Sequence, residues 1–403
     1  MVILEYPRLL PQFTVIPLDD ARVLLHSLTH SLEIRSDTTG FIPRLLSLLD
    51  GRHSLDALMA ALEDYDRDEV LTAIEQLYDS GLVEAAEAEA DPALSADEYA
   101  RYADQMVFFS HFIAAQPLNA QNPWPDIPRR AVDYQLKLRQ SRVLLFGLGR
   151  LGSQLTRLLT LSGVGQLVGL DDTPVSARDV HSDAWYSPAH LGQSRAAVLA
   201  DEVKALNPWV TFTPLRQPLP ESAEAVAGML DDVTLVIVCT DDVHPDLFAH
   251  VNEACLQTNT VWTSCRLSGF EFTVGPTVIP FETPCYACFE QRLASNAANY
   301  EEHQIITDYQ RHGRLHAETL TITPGIGLVA LEAVKAITYF MEPATYAHLY
   351  ALNLLTLESK LHPILKIPRC PACGRPTQTE PTVHFWQHEP AQEAAHAHTH
   401  FTH

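Results

Sequence analysis

Two rhythms of apolar and polar residues divide this chain. Near the start, Phe13 to Pro17, Arg22 to His26 and Leu32 to Arg35 are short apolar-rich runs separated by the polar turns Asp19-Asp20 and Thr29-His30-Ser31, so they read as three strands. The spacing then lengthens to that of helices. One spans Phe41 to Leu49 and stops at Gly51. A second follows the cap residue Ser54, from Leu55 to Leu62. A third runs from Arg67 to Asp79, with Val70, Leu71, Ile74 and Leu77 on one face and Gly81 as its stop. Leu82-Val83 closes a segment of about 80 residues, the size of a small winged-helix-like domain of three strands and three helices. An acidic, alanine-rich linker over residues 87–96 separates it from a helix that begins at Asp97.

From residue 143 onward the pattern is strand and helix in alternation, which predicts an α/β fold with a doubly wound parallel sheet. Val143 to Phe146, Gln166 to Leu170, Val210 to Leu215, Leu235 to Val238 and Val261 to Ser264 are the strands; Phe270 to Val274 looks like an antiparallel addition. Between the first two strands, Gly147, Gly149 and Gly152 stand in G-x-G-x-x-G spacing. Such glycines permit a tight turn, let an anion approach the backbone, and let the following helix pack on the strand. The strand ends at Gly147, Asp171-Asp172 and Asp241 are expected to line one crevice, because ligands on such sheets sit beyond the carboxyl ends of the strands.

Charge changes the picture. The formal net charge is -23 with histidine neutral, which disfavours a nucleic-acid or anionic-membrane partner, since both require a basic field. No apolar run approaches membrane-spanning length, and the start lacks the charged, apolar and cleavage regions of a secretory signal, so the expected location is the cytoplasm. Seven cysteines do not make a disulfide scaffold. Four of them form two C-x-x-C pairs, Cys285/Cys288 and Cys370/Cys373, flanked by Pro284, Pro371 and Gly374. Four thiolates in two such pairs predict a closed, structural zinc site. A redox role is disfavoured because neither pair is expected to open a helix after a strand. Cys239, Cys255 and Cys265 read as buried core residues.

Taken in order, Arg101-Tyr102-Ala103-Asp104-Gln105, the Gly147/Gly149/Gly152 loop, Leu170-Asp171-Asp172, Gly192-Gln193-Ser194-Arg195, Cys239-Thr240-Asp241-Asp242 and the two C-x-x-C pairs resemble the ThiF/MoeB superfamily, relatives of ubiquitin-activating enzymes, over residues 97–377. That resemblance implies a homodimer that binds ATP-Mg and adenylates a carboxyl terminus. Asp241 would be the Mg-associated aspartate, and the ribose-binding acid would be Asp172 or, on an ungapped alignment, the position of Thr173. Three phosphate-binding positions depart from the pattern: Asp104 and Ser182 stand where the family has arginines, and Arg195 where it has a lysine. Asp179 also replaces a family asparagine. Because triphosphate binding needs cationic clamps, the expectation is a degenerate nucleotide site, with working adenylation as the alternative.

The first 86 residues resemble the PqqD-like peptide-clamp domain of ribosomal-peptide modifying systems. There a leader peptide adds to the third strand and lies against the third helix. Carried over, the clamp is Leu32, Glu33, Ile34 and Arg35 facing Val70, Leu71, Ile74 and Leu77; the plain alternative is that the helix residues are core. A clamp ahead of a decayed nucleotide site resembles the C- or F-type (Ocin-ThiF-like) partners of YcaO cyclodehydratases, which implies a separate YcaO enzyme that forms azolines. The histidine-rich tail, residues 378–403, reads as disordered, with weak metal binding as the alternative.

Overall fold

The computed structural model describes residues 4–27, 31–86, 94–113, 130–242, 244–296, 299, 301–302, 305, 309 and 322–374. The histidine-rich tail, most of the acidic linker and most of the polar segment after residue 296 lie outside the described residues. The chain forms two compact units, which meet in sequence between Leu136 and Lys137.

In the first unit, β2 (Thr14–Pro17), β3 (Arg22–His26) and β4 (Ser31–Arg35) form an antiparallel sheet in the order β2-β3-β4. Three helices follow: α1 (Phe41–Leu48), α2 (Leu55–Ala61) and α3 (Arg67–Asp79). The predicted strands and helices match these to within a residue or two. Ser54 caps α2 by accepting the Ala57 amide, and Asp66 caps α3 by accepting the Asp68 and Glu69 amides. A separate two-stranded ribbon pairs β1 (Pro7–Leu9) with β5 (Val83–Ala85), so the start of the chain is tied to the end of the helical run. The core gathers Val23, Leu25, Ile34, Phe41, Leu45, Leu58, Val70, Ile74 and Leu77. Two further helices, α4 (Ala96–Ser110) and α5 (Ala131–Gln140), meet through a Gln105–Gln135 hydrogen bond of 2.6 Å and stacked Phe109 and Tyr134 rings.

The second unit holds an eight-stranded sheet in the order β13-β12-β11-β10-β9-β6-β7-β8. Its parallel half is β6 (Arg142–Phe146), β7 (Gln166–Leu170), β8 (Thr211–Leu215), β9 (Leu235–Val238) and β10 (Val261–Ser268). The antiparallel half is β11 (Glu271–Val274), β12 (His348–Asn353) and β13 (Ser359–Pro363). Helices α6 (Arg150–Ser162), α7 (Ala177–Val180), α8 (Arg195–Leu206), α9 (Ala223–Ala227), α10 (Pro245–Thr258), α11 (Tyr286–Asn296) and α12 (Thr323–Thr338) complete the unit. Val143 through Phe146 and Val236 through Val238 are fully buried, which is why these runs are continuously apolar. The order of strands reverses between β6 and β9, and that switch point opens a crevice at their carboxyl ends.

Two expectations are corrected. Cys285 directly precedes α11 and Cys288 lies in its first turn, so the first cysteine pair does open a helix. The polar stretch 292–318 reads from sequence as irregular chain, but it is helical to Asn296. No described helix is long and apolar enough to cross a membrane.

Candidate functional site

The crevice is a space of about 1390 Å³ lined by Gly147, Gly149, Asp171, Asp172, Arg195 and Asp241, among others. Six of the predicted nucleotide-site residues therefore converge. The seventh, Gly152, is a packing position: a Cβ there would lie 1.9 Å from the Gly147 carbonyl oxygen. Gly147 turns the chain with φ of 91°, and a Cβ on Gly149 would collide with the Asp241 carboxylate at 2.0 Å.

That last clash shows where Asp241 points. α6 has no side-chain cap of its own, so its first amides need an acceptor. Asp241 supplies it: one carboxylate oxygen accepts the Arg150 amide at 2.7 Å and the other accepts the Leu151 amide at 2.9 Å. The helix N-terminus, where an anionic ligand would bind, thus holds an anion from the chain itself. Burial raises the Asp241 pKa, and these two amide bonds only partly offset it.

Arg195 is also committed. Its guanidinium bonds both oxygens of Asp179, at 2.7 and 2.8 Å from one nitrogen, and contacts Asp171 at 3.3 Å and the Thr173 hydroxyl at 2.8 Å. Burial would lower its pKa, but the Asp179 bonds and the field of three aspartates outweigh that and raise it. Asp179, 2 % exposed, also accepts the Ser176 amide and hydroxyl. Asp171 accepts the Leu148 amide at 2.8 Å and the Thr173 amide at 2.9 Å. The Arg150 side chain pairs with Asp183, and Arg178 reaches Asp242 at 3.7 Å. Ser182 donates its hydroxyl to the Asp179 carbonyl, a local turn contact. Asp104 is exposed on α4. Six carboxylates line the crevice against two guanidiniums. Sequence reasoning missed Asp179, the main partner of Arg195; the only signal was its place as a carboxylate where the family has asparagine.

Elsewhere in the second unit, all four cysteine sulfurs lie within 4.8 Å of one another. Cys285 and Cys288 are 3.9 Å apart, Cys285 and Cys370 3.7 Å, Cys288 and Cys373 3.6 Å. Sulfurs on a tetrahedron with metal–sulfur bonds of about 2.3 Å would be about 3.8 Å apart, whereas a disulfide needs about 2.05 Å. The four residues are buried and fit a metal ion.

In the first unit, the predicted clamp residues split. Val70, Ile74 and Leu77 are 1 %, 4 % and 4 % exposed and belong to the core, while Leu71 is half-buried. Ile34 is buried and Leu32 half-buried on the core side of β4. The Ser36 amide donates to the Ala21 carbonyl, and Val23 faces Ile34 and Leu25 faces Leu32. By antiparallel alternation, Leu32 and Ile34 bond to β3, so Ser31, Glu33 and Arg35 turn their backbone groups to the outer edge, which no other described strand pairs. The other edge is blunted: β2 ends in Pro17, which has no amide to donate. Glu33 is paired with Arg35 at 2.8 Å and Arg22 at 3.5 Å, and the Arg35 bond leads in lowering its pKa.

The ThiF family model matches residues 118–373, more than half of the chain. The chain belongs to the ThiF family. It is 26% identical over 245 residues to the molybdopterin-synthase adenylyltransferase of Salmonella typhimurium, covering 60% of this chain and 90% of that one. It is 28% identical over 251 residues to the sulfur carrier protein ThiS adenylyltransferase of Escherichia coli, again 60% and 90%. Among solved structures, E. coli MccB with MccA-N7isoASN superposes with a TM-score of 0.66 over 92% of this chain and 99% of that one, at 16% identity. PaaA gives 0.69 over 88% and 99%, at 18% identity. These identities establish a shared fold, and the likeness extends beyond residues 118–373 into the first unit.

Proposed function

We propose that this chain is a peptide-binding scaffold: it holds the leader of a ribosomal precursor peptide and presents it to a separate ATP-dependent YcaO cyclodehydratase that forms thiazoline or oxazoline rings. One observation carries the reading. The crevice spends its own groups on itself, with Asp241 seated at the α6 N-terminus and Arg195 neutralised by Asp179 and Asp171. A triphosphate would have to displace these carboxylates and would meet a negative field. The open edge at Ser31, Glu33 and Arg35 supplies the complementary feature, a row of backbone groups able to accept an added strand. That MccB has been solved with the peptide MccA favours a peptide partner. In this reading the four cysteines hold a structural zinc that closes the second unit, the protein works as a homodimer, and it resides in the cytoplasm.

Isothermal titration of the full chain tests this. The expected result is micromolar binding of a synthetic leader peptide and no heat with ATP-Mg. Clear ATP-Mg binding, or no binding of any cognate leader, would overturn it.

A second reading is supported by the names of the relatives, which are adenylyltransferases, and by MccB having also been solved with ATP. Here the chain would adenylate a peptide or carrier-protein carboxyl group, with ATP-Mg as cosubstrate. Pyrophosphate exchange with a cognate peptide decides it; absence of exchange removes it.

A further inference from the structure

We infer that Asn252, on α10, is a positioning residue for the four-cysteine metal site: it holds the first cysteine knuckle in the shape that a tetrahedral ion needs. This rests on the structural-zinc reading above and names the part of the fold that sets the geometry of that site. Cys285 directly precedes α11 and Cys288 lies in its first turn, so the peptide between Cys285 and Tyr286 orients both sulfurs. The Tyr286 amide is one of the first four in α11, which the helix itself leaves without an acceptor. It donates to Asn252 Oδ1 at 2.8 Å, and Asn252 is 3 % exposed. That bond fixes the knuckle from another helix, 34 positions away in sequence. The rest of Tyr286 is held by the same support. Its ring lies 5.4 Å from that of Phe248, which stands one turn before Asn252 on the same face of α10. Its hydroxyl accepts from Arg266 at 2.9 Å, and the Arg266 guanidinium lies 3.8 Å from the centre of the Phe248 ring. From the second knuckle, the Ile367 amide donates to the Cys288 sulfur at 3.4 Å. The sulfurs therefore reach tetrahedral spacing on a turn that α10 braces. Partners that orient metal ligands from outside the coordination sphere typically carry about 10- to 100-fold of metal affinity.

The test uses the full chain loaded with zinc and follows transfer of the metal to a chromogenic chelator, below the melting temperature of every variant. Asn252→Leu removes the acceptor at similar volume and should weaken zinc affinity about 10- to 100-fold. Asn252→Ala removes it without bulk and should show the same loss, which keeps the test readable if the leucine variant does not fold. Asn252→Asp keeps an acceptor oxygen, ionised or protonated, and should stay within about threefold of the parent. The control is Asn207→Leu, which removes another buried asparagine, bonded to the Thr160 carbonyl at 2.8 Å and not to a cysteine knuckle. It should lower the melting temperature yet shift zinc affinity by less than about twofold. Cobalt in place of zinc adds a spectroscopic readout: the bands of the tetrahedral tetrathiolate ion should shift in Asn252→Leu and Asn252→Ala and not in Asn207→Leu. Unchanged zinc affinity in both acceptor-less variants, an equal loss in Asn207→Leu, or a loss in Asn252→Asp as large as in Asn252→Leu would each overturn the inference and leave the zinc reading standing. A parent chain that takes up no zinc would overturn the zinc reading, and the inference with it.

Discussion

The free edge of β4 and the nucleotide-type crevice make opposite use of hydrogen-bonding capacity. At Ser31, Glu33 and Arg35 the backbone groups of an edge strand are left unpaired by their own sheet. In the crevice, the α6 amides and the Arg195 guanidinium are satisfied by Asp241, Asp179 and Asp171. A motif marks where a ligand once fitted. Open valence marks where one can still bind. On that criterion the proposed reading treats the glycine loop as architecture, because Asp241 already occupies the amides at the start of α6.

The strongest test of this contrast is to disable one region and ask whether the other survives. Removing metal from the Cys285/Cys288/Cys370/Cys373 cluster, by chelation or by Cys370→Ser, should release one zinc per chain and strongly lower the melting temperature of the second unit. A structural zinc contributes on the order of 10 kcal/mol in small sites. Leader binding by the first unit should persist after chelation, since the core behind β4 contains none of these cysteines. Metal analysis together with melting and peptide titration reads all three. Loss of leader binding with the zinc would join the two regions and break the contrast.

Next in size is Arg195→Met. In a working nucleotide site this substitution would mainly cost affinity. Here it strands Asp179 and Asp171, which are 2 % and 9 % exposed, so stability should fall by about 3 kcal/mol in urea denaturation while leader affinity stays unchanged. A variant as stable as the parent would show that Arg195 is not structurally committed. Glu33→Pro addresses the other side. It removes one outward amide from an edge strand, where proline is tolerated, and should weaken leader binding at least about tenfold with a loss of stability near 1 kcal/mol. Unchanged affinity would remove β4 as the docking edge.

Much of this was legible in the sequence, for identifiable reasons. Val143 to Phe146 and Leu235 to Val238 are buried on both faces, so their apolar runs announce strands. The glycine spacing and the cysteine pairs are local signals, and the structure brings the crevice residues and the four cysteines together. Three things were not legible. β13 escaped because Ser359–Pro363 is exposed throughout and carries no alternation. The β1–β5 ribbon joins two three-residue strands 76 positions apart, as Arg8 and Glu84 show, too short to leave a pattern. The pairing of Arg195 with Asp179 depends on a turn that brings together residues 16 apart. A substitution at a motif position reveals a lost group; it does not reveal what the replacement will bond.

The smallest effect is set by pH, and it separates the two regions by sign. In the first unit, Asp50 accepts the Arg52 amide at 2.8 Å and also meets the His53 amide and ring, and these bonds, the Arg52 amide foremost, lower its pKa to about 2. A carboxyl depressed in the folded state contributes stability that is present above its ordinary value of 3.8 and is lost as pH falls towards 2. Asp50 is 39 % exposed, so solvent screens the gain and it stays well under what burial would give. Asp241 runs the other way. Its folded pKa is raised, so whatever it contributes is fully present below 3.8 and declines as pH rises through the elevated value. Asp50→Asn should therefore narrow its stability deficit to the parent between pH 4 and pH 2, whereas Asp241→Asn should narrow its deficit as pH rises from about 4. Paired urea melts across that range read both slopes. Matching slopes for the two variants would mean that the crevice carboxylate is held as favourably as a surface cap, and that Asp241 bears no strain for a ligand to relieve.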